Sequence, residues 1–310
     1  MNRPSSRTVR RLALASVVAN AAIVVTGGAV RLTSSGLGCP TWPRCTSGTY
    51  TPTAEYAAHG VIEFTNRLLT FALTAVVVAT LVAVVRARPR RRPLVQLAAL
   101  LVLGIPAQAV LGGITVLTGL NPWTVMAHFL LSMVLLGIAV VLHWRTGESD
   151  GALRVLVPVP LRQLGLAVLG VVAVTLAVGT VVTGSGPHSG DAKAARTGFT
   201  PASVSQLHAD LVMLLIGLSL ALWVALKAVT GPSRAAGILV LVEAGQALIG
   251  WTQYFTHLPV VLVGAHLAGA CLVLVAACRV VLSLRERAVV APAHAPEQSA
   301  LLQVTGQRSS

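Results

Sequence analysis

The sequence predicts an all-α integral membrane protein, with eight transmembrane helices arranged as two parallel-repeat four-helix bundles. Three observations predict it. The 310 residues are 55% hydrophobic and only 10% charged, with a mean hydropathy of +0.80, against roughly 25% charged residues in a soluble domain. Eight apolar runs each approach the roughly 20 residues that cross a bilayer. One stretch also occurs twice: Gln108-Ala-Val-Leu-Gly-Gly-Ile-Thr leads to Ala127-His128, and Gln246-Ala-Leu-Ile-Gly-Trp-Thr leads to Ala265-His266. Both copies separate Gln from His by 20 residues (128 − 108 and 266 − 246).

The elements follow in order. A cytoplasmic N-tail, 1–10, carries Arg3, Arg7 and Arg10, with Arg11 at its edge. The first run, about 11–31, starts like a signal peptide. It is too long for an h-region and shows no convincing cleavage site, so a retained helix is expected. Runs at about 59–85, 94–118 and 123–143 complete an N-terminal half, 11–143. After a linker at 144–161, runs at about 162–184, 203–228, 235–255 and 260–284 make a C-terminal half, 162–284. The remainder, 285–310, is rich in Ala, Pro, Gln and Ser and is expected to be a disordered cytoplasmic tail. Each half has four helices, so both cross the membrane in the same sense, about a pseudo-two-fold along the normal.

The net charge of +14 raises the question of nucleic acid. Its distribution answers it. With the N-terminus inside, 18 of the 23 Lys and Arg residues fall on inner segments, which is membrane topology rather than a nucleic-acid surface. Both termini are expected inside, in a multi-pass protein of the cell membrane surrounded by lipid. Cys39 and Cys45 then lie in the first outer loop, about 32–58, where disulfides persist. Either a bridge or two separate thiols is compatible with that placement. Four cysteines are too few for a disulfide scaffold, and their spacing is wrong for zinc.

Ionisable side chains inside lipid are costly and mark function. His128 and His266 each lie about five residues into their helices from the outer end, and so does His208. In the second half, His208 and His266 sit on different helices of one bundle, an arrangement that can hold a haem iron axially. The first half offers Asn66 at the position of His208. His59 is seven residues earlier, about 10 Å nearer the surface at 1.5 Å per residue. Glu63 lies between them, and Arg67 follows it by one turn, close enough to pair. The bland alternative for each histidine is an inter-helix hydrogen bond. Asp210 and Glu243 also fall in spans, with no role assigned. His143, His257 and His294 fall at helix ends or in the tail and are expected to be solvated.

Several segments together resemble heme A synthases. They are Gly27-Gly28-Ala-Val-Arg31 through Gly36-Leu-Gly-Cys39-Pro-Thr-Trp42-Pro-Arg-Cys45, Glu63-Phe-Thr-Asn66-Arg67, Gln108-Ala-Val-Leu-Gly-Gly-Ile-Thr, and Thr183-Gly184-Ser-Gly-Pro187-His188-Ser-Gly190-Asp191. The combination is specific where any single piece is weak, it covers roughly residues 10–285, and the loop and tail length look like the actinobacterial branch. The resemblance implies oxidation of a ring methyl of haem O to the formyl group of haem A. It implies a haem b held by His208 and His266. It places the axial positions of the substrate haem at His128 and at the position held by Asn66, with Glu63 as the essential acid and Cys39 and Cys45 as a functional pair. With asparagine there, the substrate haem is expected to be five-coordinate through His128, the alternative being His59 as replacement ligand after a helix shift. Arg31, Arg67, Lys193 or Arg196 are candidates for the propionates. Pathway logic adds a heme O synthase (protoheme farnesyltransferase) as supplier and cytochrome c oxidase assembly as recipient. Many members have histidine where this chain has Asn66, and some carry a second cysteine pair that this chain lacks. Two competing readings are a cytochrome b-type quinol oxidoreductase, with two permanent haems, and a parallel-repeat transporter.

Overall fold

The structure, a computed structural model, describes residues 5–229 and 231–288. Among these it contains eight long helices: α1 (Ser6–Leu32), α2 (Ala57–Arg86), α3 (Arg92–Leu117), α4 (Pro122–Thr146), α5 (Val159–Ser185), α6 (Pro201–Ala228), α7 (Arg234–Phe255) and α8 (Val260–Ser283). All eight are long and apolar enough to cross a membrane. The protein is therefore an all-α integral membrane protein.

Local chemistry sets the ends. α1 starts earlier than hydropathy indicates because Ser5 caps it, its hydroxyl accepting from Thr8 N–H at 3.1 Å. This draws Arg7, Arg10 and Arg11 into the first turns. Asn121 caps α4 by accepting from Trp123 N–H at 3.0 Å, with Pro122 at the first helical position, where its missing N–H costs nothing. The tight α3–α4 turn puts Gly119 and Leu120 at positive φ (63° and 59°).

Each helix packs on its sequence neighbour. A seam of α1 and α4 against α5 and α8 joins the two halves. One apolar core fills α1–α4 around Val77, Leu101 and Leu142, and a second fills α5–α8 around Val168, Leu222 and Leu239. Val24, Met133 and Leu136 from the first half belong to the second core. Large side chains such as Leu241 (71% exposed) and Val261 (80%) point outward, as lipid-facing positions must when the backbone is satisfied internally.

At one end of the bundle, Gly36 N–H donates to Gly190 O at 3.0 Å, so the 33–53 and 186–200 connections touch. At the other end the structure departs from expectation. Leu153–Val155 (β1) and Arg285–Arg287 (β2) pair as an antiparallel two-stranded ribbon. The expected disordered tail thus begins with three ordered residues, because backbone groups leaving α8 find partners in the α4–α5 linker. Residues 289–310, including His294, lie outside the described residues.

Candidate functional site

In the second half, His208 lies seven residues past the start of α6 (208 − 201) and His266 six past the start of α8 (266 − 260). Their ring centroids are 6.4 Å apart at an interplanar angle of 69°. Glycine makes room for each ring. A Cβ on Gly179 would lie 3.1 Å from His208 Cε1, and one on Gly250 would lie 3.2 Å from His266 Cε1. Gln246 Nε2 donates to the His266 carbonyl at 2.6 Å, fixing the backbone under the ring. Neither Nδ1 makes a hydrogen bond of normal geometry, but the backbone of Thr175 lies beside the His208 ring and that of Gln246 beside the His266 ring.

These observations test whether a metal fits between the rings. Two metal–imidazole bonds of roughly 2 Å, plus about 1 Å from nitrogen to ring centre on each side, span about 6 Å. The observed separation matches this. A backbone acceptor beside one nitrogen of each ring orients the imidazole and leaves its other nitrogen for a metal. The pair fits axial ligation of a haem. Among the described residues, no three His, Cys, Asp or Glu side chains converge.

The first half repeats the glycine and the glutamine. A Cβ on Gly112 would sit 3.1 Å from His128 Cε1. Gln108 Nε2 donates to the His128 carbonyl at 3.2 Å and to Ser132 Oγ at 2.6 Å. His128 Nδ1 is again without a partner, as is the buried Asn66 Oδ1. Hence no hydrogen bond joins Asn66 Oδ1 to that ring nitrogen.

Above this half lies the first loop, closed by a Cys39–Cys45 disulfide and fastened to α2 by charge. Glu63 Oε2 accepts from Cys39 N–H at 2.7 Å, and Glu63 Oε1 pairs with Arg67 at 2.5 Å. Arg67 also donates to the carbonyls of Cys39, at 3.0 Å, and Thr41, at 3.2 Å. His59, exposed at the top of α2, has Nδ1 2.9 Å from Ser35 Oγ. Trp42 lies over α3, where a Cβ on Gly113 would come 2.5 Å from its ring. Arg31 reaches into the other half, donating to His188 O at 2.7 Å and Thr183 O at 3.1 Å.

The structure thus brings His208 to His266 and gathers Glu63, Arg67 and the cysteine pair, while His59 stands with the loop. Glu243 is buried, with one oxygen accepting from Ser219 Oγ at 2.9 Å and the other without a hydrogen bond. Asp210 accepts from Gln206 at 2.7 Å. His143, expected to be solvated, is half-buried with an unpartnered Nδ1, because α4 continues to Thr146. The residues missed at the sequence level are the glycines. Their signal was present: Gly112 and Gly250 each follow the repeated glutamine by four positions (112 − 108 and 250 − 246).

Fold and site together define an integral helical membrane protein whose facing histidines have axial-ligand spacing. Comparison with known proteins supplies the family. Residues 10–190 match the COX15-CtaA family model, cytochrome oxidase assembly protein. This is more than half of the chain, and the chain belongs to that family, the heme A synthase family. The chain is 32% identical over 148 residues to a heme A synthase of Symbiobacterium thermophilum and 30% over 146 residues to that of Lysinibacillus sphaericus. It is 33% identical over 162 residues to one from a Methylobacterium species. The matches cover 47% of this chain and 47%, 47% and 44% of those proteins. The chain therefore spans about half the length of the curated relatives it matches.

Proposed function

We propose that this protein is a heme A synthase, an oxidoreductase that converts the C8 methyl of haem O into the formyl group of haem A. The observation that carries the proposal is the contrast between the halves. One brings two imidazoles, His208 and His266, to 6.4 Å from each other; the other has the imidazole of His128 and, at the repeat position of His208, the amide of Asn66. One permanent cofactor and one exchangeable substrate need that asymmetry.

In this reading His208 and His266 hold a haem b, which when bound supplies one-electron transfer. His128 ligates the substrate haem from α4, with Asn66 facing the same space from α2. In each of two successive steps one C–H bond of the substrate methyl is broken and one C–O bond is formed, with water as oxygen donor and two electrons and two protons passing to an external electron acceptor. The methyl thus becomes a hydroxymethyl group and then a gem-diol. Loss of water leaves the aldehyde. Glu63, one turn outward of Asn66, accepts a proton or balances positive charge developing at the methyl carbon. Arg67, engaged with the loop carbonyls, holds the loop over the substrate. Arg31 keeps its Nη1 for a propionate. The termini face the cytoplasm and the cysteine loop lies outside, following the arginine distribution. A heme O synthase supplies the substrate, and cytochrome c oxidase assembly takes the product.

The test is haem extraction and chromatography from cells with and without the protein, combined with pigment analysis of purified protein. Haem A that appears only with the protein, and a preparation holding haem b with variable haem O or A, is expected. Colourless protein would favour a transporter, and two stoichiometric haems b would favour a quinol oxidoreductase.

A further inference from the structure

At the end of the bundle opposite the cysteine loop lies an open cavity of about 550 Å³. Three separate parts of the chain build it. The α2–α3 connection and the start of α3 bring Arg90, Arg91 and Arg92; the end of α4 brings Arg145; the ribbon strand β2 brings Arg285 and Arg287. Topology alone requires arginines near this end of each helix. It does not require six of them to line one hollow.

The acids present compensate only some of that charge. Asp150 accepts from Arg91 at 2.8 and 2.9 Å and from Arg145 at 3.1 Å. Glu148 pairs with Arg145 at 3.0 Å and with Arg287 at 3.8 Å. Arg90, Arg92 and Arg285 have no acidic partner among the described residues. Arg287 Nε is buried without a hydrogen bond. Arg90 and Arg92 are exposed and Arg285 is half-buried, so the hollow presents guanidinium groups with no fixed counter-charge, which favours an anion there.

The remaining lining names the kind of anion. Leu97 and Leu100 of α3 and Val141 of α4 form an apolar wall, and Leu100 is 49% exposed. These leucines lie five and eight residues past Arg92 (97 − 92 and 100 − 92). At 1.5 Å per residue this is about 8 to 12 Å deeper along the helix. A ligand must therefore be anionic at the mouth and apolar below. Free phosphate uses only the first feature, whereas a phospholipid uses both. We infer that this cavity binds the headgroup of an anionic phospholipid, with Arg90, Arg92 and Arg285 on the phosphate and an acyl chain along Leu97, Leu100 and Val141. Basic pockets between transmembrane helices recognise acidic lipids in this way.

The test uses the full-length protein, purified in detergent and exposed to mixed micelles of phosphatidylglycerol and phosphatidylcholine. Native mass spectrometry then counts retained lipid. The wild type is expected to retain phosphatidylglycerol in preference to phosphatidylcholine. The combined Arg90→Gln, Arg92→Gln, Arg285→Gln variant should lose at least roughly tenfold of that preference, since each basic residue contributes to anionic-lipid attraction. A charge-matched control, Arg7→Gln, Arg11→Gln, Arg234→Gln, should keep it, and the corresponding triple Lys variant should restore most of it. Equal loss in the control would mean that net charge, not this cavity, selects the lipid, and would overturn the inference. So would unchanged retention in the triple Gln variant, or displacement of the lipid by millimolar inorganic phosphate. A triple Gln variant that keeps its haem content but loses the lipid separates this site from the haem chemistry.

Discussion

Gln108 donates to the carbonyl of His128, twenty residues on, and Gln246 does the same for His266. In each half a glycine four residues after the glutamine gives the imidazole its space. The next residue separates the halves. In the first it is Gly113, whose bare surface receives Trp42 from the disulfide loop. In the second it is Trp251, 67% exposed and turned outward. By repeat position α2 carries Asn66 where α6 carries His208, and the Asn66 amide lies beside Gly27 of α1 while the His208 ring lies beside Gly179 of α5. The second half faces its histidine with another helical histidine, while the first carries a loop clamped to α2 by Glu63 and Arg67. Helical side chains suit a resident ligand, and a loop suits one that must enter and leave.

Breaking the second pair should have the largest effect. His208→Ala or His266→Ala is expected to abolish the resident haem, seen as loss of the haem absorbance of the purified protein. His128→Ala should leave that absorbance in place and remove substrate oxidation. Equal loss of resident haem in all three variants would erase the distinction between the halves. Asn66→His should sharpen the contrast from the other side. It places a second imidazole opposite His128, and the expected result is a second tightly held haem by pyridine haemochrome assay, with slower turnover because the substrate site becomes a permanent one. Unchanged haem content would mean that the two positions do not face a common ligand.

The next contrast is between two buried glutamates. Glu63 is an ionic clamp with Arg67 and Cys39 N–H. Glu243 has Ser219 Oγ and no cationic partner among the described residues. Glu63→Gln leaves the Arg67 guanidinium, 23% exposed, without its counter-charge. A fully buried pair broken in this way costs about 3–5 kcal/mol; partial exposure lowers the expectation to about 2 kcal/mol. Glu243→Gln keeps a group able to accept from Ser219 and should cost under about 1 kcal/mol. Thermal unfolding of the two variants side by side checks the ranking, and reversed order would show that the clamp carries no net stability.

Much of this was legible in the sequence because membrane burial imposes simple rules. Length and hydropathy located all eight helices, and residue types picked out His128, His208 and His266. Glu63 and Arg67 were readable as neighbours because helical spacing alone brings positions four apart together. The bond from Cys39 N–H to Glu63 was not, since a loop's return path depends on the helices it lands on. The β1–β2 ribbon was equally hidden. Strand β1 is exposed throughout and β2 shows no buried residue, so neither carries an alternating apolar signal. Their partners are separated by more than a hundred residues. That ribbon also changes the meaning of Arg285 and Arg287, from topology signals to parts of a cavity wall.

The smallest expected effect concerns the two ends of the bundle rather than its two halves. The clamp at the loop end is enclosed, whereas the Arg91–Asp150 pair at the other end is open, with the Asp150 side chain 41% exposed. Hydrogen bonding to Arg91 holds the Asp150 carboxyl below its ordinary value of 3.8. A lowered carboxylate pKa stabilises the fold above the ordinary value and loses that contribution as pH falls through the lowered one. The contribution is therefore constant from pH 7 to pH 5 and fades only below about 3.8. Asp150→Asn should cost no more than about 1 kcal/mol, the upper range for an exposed pair. The gap between variant and wild-type melting temperatures should stay flat between pH 5 and pH 7 and shrink with added salt. A gap that opened within that pH range would mean that another titrating group, and not Asp150, governs this face.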